Sequence, residues 1–212
     1  TTTADLAPFM ETVWNQYYLN GIDLQGYSWG EFFDKGFQNN WTSSGGVDPS
    51  QPTPWYQSAY GLDPVTADPW MQSGRGAPDV AANAGGNLNY TVPTGDMSTT
   101  TSNGGTSAAS PLWAALTVQL NAIFDDQGLP NLGFMNDLLY IASAIAPASF
   151  NDVSVGGNYS SFYYDSNGPY ESDGRVQTTG YGYEADYGYD FVSGLGSPNG
   201  LVLARTLTEI AH

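Results

Sequence analysis

The chain has 212 residues, which is enough for one domain with a substantial hydrophobic core. It carries 4 basic and 21 acidic side chains, for a formal net charge of −17 at pH 7, and so few cations argue against a nucleic-acid partner. Most of that charge disappears once carboxylates protonate near their reference pKa of about 4, so the composition favours an acidic medium.

The chain has no cysteine, which excludes disulfides and thiolate metal sites. No apolar run is long enough to cross a bilayer, so we expect no membrane span. The sequence starts at Thr1 without methionine, which suggests upstream processing, and we expect a secreted protein or one of an acidic compartment. Glycosylation sequons at 40–42, 89–91 and 158–160 matter only in a secretory pathway that glycosylates.

The first 70 residues contain short runs such as ETVWN (11–15), which are typical of brief strands between loops. The run APDVAANA (77–84) predicts a short buried strand or turn. The next segment, NLNYTVPTGDMSTTTSNGG (87–105), predicts a loop or hairpin.

The strongest helix signal follows this segment. Apolar residues recur every four positions, and Pro111 stands where we expect the first helical turn, in which a missing N–H costs nothing. The recurring residues are Leu112, Leu116, Leu120 and Phe124. A second helix is predicted at 136–145 and a last one in NGLVLARTLTEIA (199–211). Strands that alternate with amphipathic helices indicate an α/β fold with a mainly parallel sheet, in one unit over residues 1–212.

The segment GGTSAASP (104–111) places Ser107 at a strand-to-helix turn, where α/β sheets gather reactive residues. A serine hydroxyl is a weak nucleophile until a neighbouring base takes its proton. The only histidine, His212, is the last residue, and chain ends are commonly mobile. A carboxylate that works at low pH is therefore the remaining base. The alternative is that Gly-Thr-Ser is only a helix-capping turn.

Seven segments, in the same order, resemble landmarks of the sedolisins, the serine-carboxyl peptidases with a subtilisin-like fold. The resemblance covers nearly the whole chain and implies the C-terminal portion of their domain, with a mainly parallel sheet flanked by helices. The segments are ETVWN (11–15), GYSWGEFF (26–33), GRGAPDVAANA (74–84), GGTSAASPLWAAL (104–116), LGFMNDLLY (132–140), FNDVSVGGN (150–158) and GYDFVSGLGSPNG (188–200).

The resemblance implies that Ser107 is the nucleophile. In the family a glutamate is the base, an aspartate supports it, and a second aspartate helps to hold the oxyanion beside the backbone N–H of the serine. All three lie in the half of the domain that precedes TTTADLAPFMETVWN (1–15). We therefore expect a second chain, the N-terminal fragment of the same precursor, to supply them.

Three acids of this chain lie nearest to the family landmarks, but the family gives none of their positions a role in proton transfer. They are Glu11, Asp79 and Asp96. We expect Asp79 to be a structural acceptor for backbone N–H groups of a turn.

The resemblance also implies one bound Ca²⁺, an ion that prefers six to eight oxygen ligands. The implied ligands are the side chains of Asp152 and Asp190 and the main-chain oxygens of Val153, Asp186 and Gly188. The family usually has glycine where Asp186 stands, and a carbonyl ligand survives that change. The alternative is that the two aspartates only form turns in glycine-rich loops.

We expect an acid-active endopeptidase subunit that cleaves peptides or proteins once its partner is bound. A catalytically idle scaffold, kept for assembly or binding, is the alternative from another class. A third hypothesis, an N-terminal threonine hydrolase that uses Thr1, has no support from the fold signals.

Overall fold

A computed structural model describes residues 10–15, 31, 35, 42–85, 89–159, 164–165, 168–169 and 181–212. Thr1, most of the landmark at 26–33 and the sequon asparagine Asn40 lie outside the described residues. Within the described ranges, no helix is both long and apolar enough to cross a membrane.

The α-helices with described bounds are α1 (Trp55–Tyr60), α2 (Thr106–Asp126), α3 (Asn136–Ile145) and α4 (Gly200–Ala211), and a 3₁₀ turn spans Pro147–Ser149. The strands are β1 (Gly46–Asp48), β2 (Arg75–Ala77), β3 (Tyr90–Pro93), β4 (Thr100–Asn103), β5 (Phe150–Asn151), β6 (Tyr164–Asp165), β7 (Gly168–Pro169) and β8 (Ser197–Pro198).

The strands pair as β1–β2, β3–β4, β5–β8 and β6–β7, and each pair is antiparallel. The mainly parallel sheet predicted from the sequence is therefore not seen in the described part of the chain. These strands have at most 4 residues, and β3 and β4 are joined by a short connection that suits antiparallel pairing, whereas parallel neighbours need longer crossover connections. The predicted hairpin after residue 87 is confirmed, with Tyr90 opposite Asn103 and Pro93 opposite Thr100.

Helix α3 has the bounds predicted from the sequence, and α4 follows its cap residue Asn199, whose Oδ1 accepts the N–H of Val202 at 3.4 Å. The expected position of Pro111 is wrong. Helix α2 already begins at Thr106, so Pro111 lies inside the helix. Its missing N–H leaves the Ser107 carbonyl without the usual partner four residues on.

The main core lies where α2, α3 and α4 meet. Its large buried apolar residues include Leu120 and Phe124 of α2, Leu139 and Tyr140 of α3, and Leu203 and Leu207 of α4. The four-residue stripe of α2 is thus buried only at its C-terminal end.

Three apolar residues of α2 are exposed: Leu112 is 42% exposed, Val118 68% and Ile123 38%. The indole Nε1 of Trp113 donates to the Ala81 carbonyl at 2.8 Å and so fixes α2 against the segment after β2.

A smaller apolar cluster joins the start of the described chain to its last loops. Val13, Val153 and Val192 are buried together, and the N–H of Val13 donates to the Val155 carbonyl at 2.9 Å. In the described part of the chain, the run ETVWN contributes the isolated bridge between Asn15 and Thr42 instead of the predicted strand.

Candidate functional site

Ser107 is the second residue of α2 and is exposed. Strand β4 ends at Asn103, so the predicted strand-to-helix turn is present and consists of Gly104 and Gly105. The N–H of Ser107 belongs to the first turn, where no preceding helical carbonyl can accept it. This N–H, at the positive end of the helix dipole, is available to a ligand oxygen.

Two glycines give this turn its shape. Gly105 has a φ of 87°, which L side chains rarely adopt, and its N–H donates to the Ala84 carbonyl. A Cβ on Gly104 would lie 2.8 Å from Asn89 Oδ1 and 2.9 Å from the same Ala84 carbonyl oxygen. The segment that ends at residue 84 therefore fixes the start of α2 through backbone contacts that only glycine permits.

No carboxylate of the described residues is hydrogen-bonded to the Ser107 hydroxyl. The sole histidine, His212, lies at the other end of α2, where its Nε2 is 3.2 Å from Gln127 Oε1. Asp96 accepts hydrogen bonds at the tip of the β3–β4 hairpin, from the Thr94 hydroxyl at 2.7 Å and the Ser98 hydroxyl at 2.8 Å.

Glu11 is hydrogen-bonded to a different serine. The hydroxyl of Ser197, at the start of β8, lies 2.9 Å and 2.7 Å from the two carboxylate oxygens of Glu11. Ser197 is buried, whereas Ser107 is exposed. This pair joins two landmark segments and is a structural contact.

Asp79 is the acceptor at the centre of a polar network between β2, α1 and α3. It forms an ion pair with Arg75, and its Oδ2 accepts from Asn136 Nδ2 at 2.7 Å. Its Oδ1 accepts from the Tyr140 hydroxyl at 3.0 Å and from Gln57 Nε2 at 3.3 Å. The expectation that Asp79 ties down backbone N–H groups is therefore wrong, because its donors are side chains.

The network is largely closed to solvent. Gln57 is fully buried and also exchanges hydrogen bonds with the backbone of Gly76, donating at 2.8 Å and accepting at 3.0 Å. Burial is the main cause that raises the pKa of Tyr140, with the nearby Tyr189 and Asp79 adding to it. A raised pKa favours the protonated hydroxyl, which is the form that donates to Asp79.

The five residues predicted to bind calcium lie close together. The N–H of Gly188 donates to Asp152 Oδ2 at 3.0 Å, and the N–H of Asp186 donates to Asp190 Oδ2 at 3.4 Å. The Ser193 hydroxyl is 2.9 Å from Asp190 Oδ2 and 3.4 Å from the Val153 carbonyl.

The donor set in these loops consists of oxygens, as calcium requires. Over the described residues there is no cluster of three or more acidic, histidine or cysteine side chains that could hold a metal. A site here would therefore depend on two carboxylates and on main-chain carbonyls. The side chain of Asp186 accepts the N–H of Tyr187 at 2.7 Å, which leaves its carbonyl as the expected ligand.

Asp190 is buried, with 4% of its surface exposed. Burial raises the pKa of its carboxyl group, and hydrogen bonds from the backbone of Val192 and Ser193 oppose that shift. Their N–H groups lie 2.9 Å and 2.7 Å from Oδ1. A negative charge here is partly compensated by local donors, and a cation would compensate it further.

Sequence reasoning missed the partners that hold these segments together. Neither the Glu11–Ser197 pair nor the contacts of Asp79 with Arg75, Asn136 and Tyr140 were predicted. The available signal was that these residues lie within or beside landmark segments. A landmark alone does not say which other landmark it contacts.

Comparisons with known proteins agree with this geometry. No protein-family model matches the chain. Physarolisin of Physarum polycephalum is 43% identical over 54 residues, which are 26% of this chain and 9% of physarolisin. Among solved structures, Pseudomonas sedolisin, a serine-carboxyl proteinase complexed with two molecules of pseudo-iodotyrostatin, matches with a TM-score of 0.65 and 24% identity.

The structural match covers 100% of this chain and 45% of the sedolisin chain, so these residues span less than half of either relative. Sedolisin has a subtilisin-like fold, and the structural match shows that this chain shares the corresponding part of that fold. Together the two matches confirm the resemblance inferred from the seven segments: this chain is similar to the C-terminal part of the sedolisins.

Proposed function

We propose that this chain carries the nucleophilic serine, Ser107, of an acid-active serine-carboxyl endopeptidase. The single observation that supports this most is the setting of that serine, exposed in the first turn of a helix directly after a two-glycine turn. There the hydroxyl is open to a substrate and the backbone N–H can stabilise charge on a substrate oxygen.

The chemistry requires a base that the described residues do not place at Ser107. We propose that a glutamate base, its supporting aspartate and an oxyanion aspartate come from polypeptide outside these 212 residues, as a separate N-terminal fragment of the same precursor. Two observations support this. The chain spans 45% of sedolisin, and the apolar side chains Leu112, Val118 and Ile123 of α2 are partly exposed in the described structure.

In the proposed reaction the Ser107 oxygen forms a bond to the peptide carbonyl carbon, and its proton passes to the carboxylate base. The tetrahedral intermediate then loses the amine, which takes that proton as the C–N bond breaks. Water next attacks the acyl ester, releases the carboxylic acid and returns the proton to Ser107. A carboxylate base works near its own pKa, so we propose operation at about pH 3 to 4 in a secreted or otherwise acidic setting.

We also propose that one Ca²⁺ binds between the loops at 152–153 and 186–190. The side chains of Asp152 and Asp190 would hold it, together with carbonyl oxygens of Val153, Asp186 and Gly188. The close contacts between these loops and their oxygen-only donor set support the proposal. Bound calcium would stabilise the fold by mass action and would take no part in the reaction at Ser107.

The test is peptide cleavage at about pH 3 to 4 by the complete natural protein. Ser107→Ala should abolish cleavage, while Ser110→Ala, at an exposed serine of the same helix, should leave it unchanged. Equal cleavage by the wild type and the Ser107→Ala variant would contradict the proposal. Complete absence of cleavage by the wild type would instead favour the idle scaffold.

A further inference from the structure

The structure distinguishes between sequons that look equivalent in sequence. The acceptor asparagines Asn89 and Asn158 are both described, and both belong to Asn-x-Ser/Thr triplets. An oligosaccharide on asparagine occupies the side-chain nitrogen and needs a surface position around it. The surroundings of the two side chains therefore decide which site can carry one.

Asn158 uses its carboxamide to hold the fold together. Its Nδ2 donates to the Gly45 carbonyl at 2.7 Å, and its Oδ1 accepts the N–H of Tyr183 at 2.7 Å. The backbone segments around this side chain are closely packed, since a Cβ on Gly45 would lie 2.0 Å from the Phe191 carbonyl oxygen. A sugar on this nitrogen would have to separate these segments.

Asn89 has the opposite setting. It is exposed at the start of the β3–β4 hairpin, and Thr91 of the same sequon is exposed as well. Its Oδ1 lies against Gly85 and Gly104, where a Cβ would come within 2.6 Å and 2.8 Å of it. The side-chain oxygen of Asn89 thus faces the protein. The side-chain nitrogen is on the other side of the carboxamide and makes no hydrogen bond to the described residues.

We propose that Asn89 is an acceptor for an N-linked oligosaccharide and that Asn158 is not. In this reaction the Asn89 nitrogen loses one hydrogen as a proton and forms a bond to the first sugar carbon. The bond that breaks joins that carbon to the pyrophosphate of a lipid-linked oligosaccharide donor, and lipid pyrophosphate leaves. The inference does not depend on catalysis by Ser107, although the glycan would stand beside the glycine turn that precedes that serine.

The test is to secrete the complete natural polypeptide from a glycosylating eukaryotic host and to map its peptides. Enzymatic removal of N-glycans in ¹⁸O water converts each glycosylated asparagine to a mass-tagged aspartate. The tag should appear at residue 89 and be absent at residue 158 in the folded, secreted protein. An untagged Asn89, or a tag on Asn158, would overturn the proposal.

Matched variants make the result independent of folding defects at Asn89. Thr91→Val removes the sequon and should abolish the tag at 89, while Thr91→Ser keeps the sequon and should retain it. Asn158→Gln should leave the glycan content unchanged. If Asn158→Gln loses the secreted glycoform while Thr91→Val retains it, the oligosaccharide is on Asn158 and not on Asn89. That result would overturn the inference.

Discussion

Both carboxylate oxygens of Glu11 lie within hydrogen-bond distance of the Ser197 hydroxyl, at 2.9 Å and 2.7 Å, although the two residues are 186 positions apart. Ser197 is buried and also lies 3.2 Å from Asn151 Nδ2 of the neighbouring strand β5. This serine–carboxylate contact fastens the first described segment to β8 and does not involve Ser107.

Ser197→Ala should lower the free energy of unfolding by about 1 to 3 kcal/mol, because it leaves the half-buried Glu11 carboxylate without its hydroxyl donor. Urea denaturation measures this loss. The matched control is Ser50→Ala, since the Ser50 hydroxyl donates to Asp48 at 2.6 Å on the exposed surface. A loss no larger for Ser197→Ala than for the control would show that the pair does not fasten these segments.

Tyr140→Phe should cost about 1 to 3 kcal/mol of unfolding free energy, because it removes a buried donor from Asp79 and an acceptor from Gln57. Tyr60→Phe is the control in the same region, since Tyr60 shares only a 2.9 Å contact with the Ser143 hydroxyl. We expect the control to lose about 0.5 to 1.5 kcal/mol. A larger loss of stability in Tyr60→Phe than in Tyr140→Phe, measured by thermal or urea unfolding, would show that Asp79 is not the central acceptor of the network.

Hydrogen bonds from Thr94 and Ser98 lower the pKa of Asp96 to about 2. Because the folded pKa is lowered, the turn contacts favour the folded state above the unfolded pKa and are lost only as the pH falls through about 2. The hairpin tip should therefore stay intact at about pH 3 to 4. An NMR titration of the Asp96 carboxyl carbon measures this, and Thr94→Val should move the pKa upward. An ordinary pKa in the wild type would contradict the geometry of the turn.

A rise in pH and the binding of calcium should have opposite effects on the stability of the loops around Asp190. Burial raises the pKa of Asp190, so without metal its contribution to stability is greatest below the unfolded pKa and falls as the pH rises through the folded value. Calcium binds the ionised form and should reverse that loss. Thermal unfolding near neutral pH, with chelator or with calcium, tests this.

Asp152→Asn is the matched variant for the calcium test, because Asp152 is exposed and accepts one backbone N–H from Gly188. The variant should keep most of its stability in chelator and lose most of the gain that calcium gives. An unchanged melting temperature when the wild type is chelated at mildly acidic pH would reject the metal site.

A comparison of Gly105→Ala with Gly128→Ala distinguishes the cost of backbone strain from an effect on the reaction at Ser107. The two glycines flank α2 with φ of 87° and 70°, and a Cβ at either position would meet no atom closer than 3.9 Å. Each substitution should cost about 1 to 2 kcal/mol of stability through strain alone. Only Gly105→Ala should also reduce reaction at Ser107, and equal reaction in both variants would show that the turn does not position the serine.

The parts that the sequence predicted well are local. The bounds of α3 and the hairpin before Ser107 follow from apolar periodicity and turn residues, which depend on neighbouring positions. The start of α2 was misjudged because Pro111 resembles a first-turn proline, while Gly104 and Gly105 already allow the helix to begin.

The parts that failed are contacts between distant segments. The donors of Asp79 come from residues as far away as Tyr140, and no periodicity signals such a meeting. The antiparallel pairing of β5 with β8 could not be predicted from two-residue strands, which carry no alternation to read. The landmarks of the family located the candidate site, but only the folded chain shows which side chains they bring together.

We propose that Ser107 becomes a nucleophile when acids from outside these residues reach it. Native mass spectrometry of the complete natural protein with a peptide aldehyde, at about pH 3 to 4, tests it most directly. We expect one adduct that is lost in Ser107→Ala and retained in Ser110→Ala. An adduct that persists in Ser107→Ala, or no adduct on a folded wild-type protein with its partner segment bound, would contradict it.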